Sequence, residues 1–104
     1  MPKYQITYFG GDSPSSPEQG QAHFAKYQQW LADMGESVIS PMNPLKNSVT
    51  IDPSGASHSG SKSAMSGHTI IVADSIEHAL EMCRGCPFLD INGYLEVAEV
   101  VEMN

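Results

Sequence analysis

Basic residues are scarce: five Lys and Arg stand against twelve Asp and Glu in 104 residues, a formal net charge of −7. Lys3, Lys26, Lys46, Lys62 and Arg84 are spread along the chain, and without a cluster no run of phosphates can be neutralised. Nucleic-acid binding and docking on an anionic membrane are disfavoured. Long apolar runs are missing too. Ile70 to Ala73 is the longest, far short of the roughly 20 residues that span a bilayer. Met1-Pro2-Lys3-Tyr4 leads into alternating residues rather than a secretory apolar core, so a soluble cytoplasmic protein without a membrane partner is expected. Only two Cys occur, three apart, which gives no disulfide framework and suits a reducing compartment. Four His and two Cys show neither a metal-binding His pair at i, i+4 nor a second C-x-x-C, so no metal and no cofactor is expected.

What is present is the make-up of one globular domain spanning 1–104, with 40% apolar and 16% charged residues. Lys3 to Phe9 alternates Tyr4, Ile6 and Tyr8 with polar residues, a half-buried strand that Gly10-Gly11-Asp12-Ser13-Pro14 ends. Ser16-Pro17-Glu18-Gln19 reads as an N-cap, a first-position proline and a returning Gln, and Gly35 as the stop, so a helix is predicted from about 17 to 34. Phe24, Tyr27, Leu31 and Met34 form its expected core stripe. Val38-Ile39 and Val49-Thr50-Ile51 read as a second strand split by Pro41 and Pro44. Residues 53–67 hold six Ser and three Gly, the composition of a flexible loop, long enough to act as a lid if it is not merely disordered.

His68 to Ala73 is β-branched and reads as a third strand, and Asp74 with Glu77 as the cap of a second helix. Ile76, Ala79, Leu80 and Cys83 form that helix's expected stripe, ended by Gly85 and Pro87. Tyr94 to Met103 reads as a fourth strand with a bulge near Glu99. The order β-α-β-β-α-β implies an α+β, ferredoxin-like subunit, with strands in antiparallel order 4-1-3-2 and both helices on one face. The bare face then predicts a homodimer packed sheet on sheet.

Five segments carry a family likeness: Ala22-His23-Phe24-Ala25-Lys26, Pro41-Met42-Asn43-Pro44-Leu45, Ser66-Gly67-His68 running on to Ala73-Asp74-Ser75, Gly85-Cys86-Pro87, and Glu96 to Met103. Through them the chain resembles the YCII-related domain family, especially its small stand-alone bacterial members, nearly end to end. The resemblance implies a dimeric α+β barrel, a pocket around a helix-one His and an Asp, and, in at least some relatives, lyase or dehalogenating chemistry. The chain departs from the Asp-Gly-Pro-Phe motif of one large branch, having Asp52-Pro53-Ser54-Gly55 near that place, so nothing tied to that motif carries over.

His23 lies about 60° from the centre of the helix-one stripe, on the side of Trp30, where an imidazole at a pocket rim suits a general base. Asp33 falls on the solvent side of the same helix. Asp12, in the loop from strand one into helix one, is the better carboxylate to hold the imidazole. The topology also brings His58, His68 and Cys86 to that edge of the sheet. The expected site is therefore His23 and Asp12 as catalytic pair, with His68, Trp30 and Tyr8 as ligand contacts. Cys83-Arg84-Gly85-Cys86 ends a helix, where the dipole disfavours thiolates, so Cys83 reads as a core residue. Two readings stay open: a small cofactor-independent enzyme that moves a proton or eliminates a leaving group on a small organic molecule, and a non-catalytic ligand-binding or regulatory dimer.

Overall fold

The computed structural model describes residues 1–103. Strand β1, Lys3–Gly10, leads into helix α1, Pro17–Met34. Ser16 caps the helix by accepting from the Gln19 amide at 3.1 Å, and Gly35 closes it with a positive φ of 55° that a side chain would oppose. β2, Val38–Pro44, is followed by β3, Val49–Ile51, β4, Ser57–Ser59, and β5, Met65–Val72. Helix α2, Ile76–Cys83, a 3-10 turn at Pro87–Ile91 and β6, Gly93–Glu99, complete the chain.

The fold is α+β: two helices pack on a four-stranded sheet of order β2-β5-β1-β6, with every neighbouring pair antiparallel. Alternation along β1 sends Tyr4, Ile6 and Tyr8 to one face, where they are buried with Ile71 of β5, Tyr27 and Trp30 of α1, and Ala79 and Cys83 of α2. Both helices therefore cover the same face. The molecule is 46 × 42 × 18 Å, and its thickness is that of one sheet and one helix layer. The opposite face carries Lys3, Gln5, Thr7 and Glu96, with Phe9 stacked on Tyr94 at 5.2 Å. β1 thus contributes mainly polar groups to the uncovered side. Among the described residues no helix is long and apolar enough to cross a membrane.

Several expectations are corrected. Val38 to Pro44 is one strand through Pro41, because β2 lies at the sheet edge, where a missing N–H is tolerated, and it absorbs the prolines with two register irregularities. β3 leaves the sheet and pairs with β4. Residues 53–67 are accordingly no open loop, since Asp52 Oδ1 accepts from the Ser54 and Ala56 amides at 2.9 and 3.1 Å and builds a tight hairpin turn. α2 is capped by Ser75, whose hydroxyl accepts from the His78 amide, rather than by Asp74. Ile76 and Leu80 are partly exposed, leaving Ala79 and Cys83 as its buried face. β6 ends at Glu99 in unbroken register with β1, without the bulge.

The stripe of α1 is also rotated. Phe24 is 47% exposed, while Tyr27 and Trp30 are buried. Trp30 can sink because its indole N–H donates to the Met82 carbonyl at 2.9 Å. The rotation moves His23, one turn before Tyr27 on the same face, from the border of the stripe onto it.

Candidate functional site

A cavity of about 180 Å³ opens between α1, the ends of β2 and β5, and the Phe88 ring. His23, Phe24 and Tyr27 come from α1 and Tyr8 from β1; Met42–Pro44 and Ser66–His68 form the opposite wall. Phe88 reaches this position because two glycines make room for its ring. A Cβ on Gly93 would lie 2.2 Å from the ring, and one on Gly11 2.6 Å. The ring then packs on Tyr8, centroids 5.4 Å apart, and Tyr8 meets Tyr27 edge-on at 5.8 Å. Gly67 is required for a similar reason, since a Cβ there would meet the Asn43 carbonyl at 2.9 Å where β2 crosses it.

Three buried hydroxyls are joined behind the cavity wall. Tyr27 donates to Tyr8, Tyr8 and Thr69 Oγ1 are 2.5 Å apart, and Thr69 donates to the Pro41 carbonyl at 2.6 Å. Burial pushes both phenols above their ordinary range, so they stay protonated. Asn43 Nδ2 donates to Ser40 Oγ at 2.8 Å and to the His68 carbonyl at 3.2 Å, tying β2 to β5.

His23 is half-buried at the rim and borders a second, larger cleft of about 550 Å³ as well, which Asp12, Lys26 and Asp90 line. The expected Asp12–His23 pair is not formed. Among the described residues no carboxylate lies within 4 Å of the His23 ring, and Asp12 Oδ2 instead accepts from Asn92 Nδ2 while its amide donates to the Ile91 carbonyl at 2.7 Å. The 3-10 turn before β6 captures the loop that was expected to fold back on the helix. Asp33 is exposed and accepts from Gln29 at 2.8 Å.

Tyr8 and His68 line the cavity, though the alternation of β5 turns the His68 imidazole to the face opposite Thr69 and leaves its backbone at the cavity. Trp30 does not line it, being buried behind Tyr27 with its N–H engaged. His58 lies in the hairpin, 2.8 Å from Asp52 Oδ2. Cys83 and Cys86 are buried, and burial pushes their thiols up to about 11 and about 12. Only the end of the Ser/Gly-rich stretch, Ser66 and Gly67, borders the cavity; β3, β4 and their turn do not. Reading the sequence missed Tyr27, Thr69, Phe88 and Asn43. Tyr27 was assigned to the core alone, and the signal for Phe88 was the pair of glycines, Gly11 and Gly93, far apart in sequence.

Compared with known proteins, the chain matches no family model and no curated protein.

Proposed function

We propose that the chain is a YCII-like protein with a ferredoxin-like subunit, a homodimer in a barrel-like sheet-on-sheet arrangement, whose cavity binds a small organic molecule. His23 is the group that moves a proton on that molecule, in an elimination or a related proton transfer without a cofactor. One observation carries the reading: an apolar, aromatic-walled cavity with a half-buried imidazole at its rim, a setting in which small-molecule sites are found. The helix-free sheet face supports the dimer, because two helices cover only one side of four strands.

The non-catalytic reading has its own support in the capture of Asp12 by Asn92, which leaves His23 without a carboxylate to orient it. The two separate in one experiment. Wild-type protein and His23→Ala are incubated with a pool of cytosolic metabolites, and consumption and retention of each compound are followed by mass spectrometry. A catalyst consumes one compound that the variant retains intact; a binding protein retains it unchanged in wild type. Retention of nothing by either protein contradicts the small-molecule reading itself. His23→Ala should change stability by no more than about 0.5 kcal/mol, as an ordinary surface substitution does.

A further inference from the structure

The cavity beside His23 presents carbon almost throughout, and no Lys, Arg, Asp or Glu borders it. Polar groups of the lining residues are engaged with one another or with neighbouring strands. Tyr8 and Tyr27 join their hydroxyls behind the wall, Asn43 Nδ2 donates to Ser40 and to the His68 carbonyl, and Ser66 Oγ donates to the Gly10 carbonyl at 3.1 Å. At about 180 Å³ the cavity falls below the roughly 300 Å³ from which drug-sized sites begin. It encloses one end of a ligand only. The mouth is different, because His23 and Phe24 border both this cavity and the larger cleft, where Asp12, Gln19, Lys26 and Asp90 supply polar surface.

Resting on the small-molecule reading above, we infer that the ligand has two unlike ends: an apolar end the size of a benzene ring, which fills the cavity without a hydrogen bond, and a polar end, which stays in the cleft beside His23. Size fits, since an apolar cavity of about 150 Å³ stays dry and holds benzene and this one is about 180 Å³. A hydroxyl carried into the cavity gives up its bonds to water and finds no partner, and a charged group loses more. The same group at the opposite end keeps its water in the cleft. This orientation also puts the ligand's polar end, where a proton can be exchanged, next to the imidazole.

The test titrates wild-type protein with toluene, p-cresol and hydroquinone, the last kept under argon, following the Met42 methyl and Phe88 ring signals by nuclear magnetic resonance. The probes share one ring and differ in carrying no polar end, one, or two. Toluene and p-cresol should bind within about threefold of each other, because the cresol hydroxyl stays hydrated at the mouth, and hydroquinone should bind at least about tenfold more weakly, the cost of a hydroxyl buried without a partner. The His23 ring signals should move with p-cresol as well. Hydroquinone binding within about threefold of p-cresol, p-cresol binding about tenfold or more weakly than toluene, or no shift at the cavity signals with any probe would overturn the inference. A protein that retains a metabolite yet fails this panel sinks the two-ended ligand alone, whereas one that retains nothing sinks the small-molecule reading.

Discussion

Asn92 Nδ2 donates to Asp12 Oδ2, joining the loop after β1 to the turn before β6 across eighty positions of sequence. Asn92 can do so because it takes up the left-handed conformation, φ 63°, at the end of the Pro87–Ile91 turn. This contact, rather than a pair with His23, is the place of Asp12 in the molecule.

Asp12→Ala should therefore lower stability by at most about 1 kcal/mol, the value of an exposed hydrogen bond, measured by urea unfolding. Ligand retention or turnover should stay within about twofold of wild type, because a catalytic partner of His23 would instead cost about 100-fold or more.

Thr69→Val keeps the shape of the side chain and removes the link between Tyr8 and the Pro41 carbonyl. The Tyr8 proton and the Pro41 carbonyl then lose their partner, Tyr8 keeping only the bond from Tyr27, and a loss of about 2–3 kcal/mol is expected, read as a fall in Tm of roughly 10–20 °C. Thr69→Ser should recover most of it. A Tm for Thr69→Val within a degree or two of wild type would mean that the hydroxyl chain is not a structural element.

The strands and helices were legible where local rules decide. The alternation of β1 and the cap and stop of α1 follow from residues within a few positions of one another. Trp30 was misplaced because its burial depends on the Met82 carbonyl, 52 positions away. The hairpin was hidden since a Ser/Gly-rich composition reads as flexible until Asp52 is seen to collect three donors from Ser54 and Ala56. At the site, His23 and Tyr8 could be found by helix phase and strand alternation. The Tyr27–Tyr8–Thr69 chain joins three elements whose register no single segment encodes.

The hairpin turn should respond to acid. Hydrogen bonding, first from the Ser54 hydroxyl and then from His58, holds the Asp52 carboxyl down at about 2, below its ordinary 3.8. Since the folded value is depressed, the stabilisation is fully present above the ordinary value and is lost as pH falls through about 2. The protection of the Ser54 and Ala56 amides, relative to the intrinsic exchange rate at each pH, should fall between pH 4 and 2, while the amides of β1 and β5 stay protected. Uniform loss of protection across all strands in that window would argue against a local effect.

The proposed dimer predicts a two-chain mass by sedimentation at micromolar concentration. Tyr94→Glu places a charge on the helix-free face beside Phe9, 5.2 Å from ring to ring, and should yield a folded monomer. A wild-type monomer would contradict the sheet-on-sheet arrangement.

The cavity itself is tested most directly by a crystal structure of the protein grown with a pool of cytosolic metabolites. The account predicts density for one small molecule between Tyr8, Tyr27 and Phe88, within hydrogen-bond reach of His23. Density confined to the cleft lined by Asp12 and Lys26, with none between Tyr8, Tyr27 and Phe88, would contradict it.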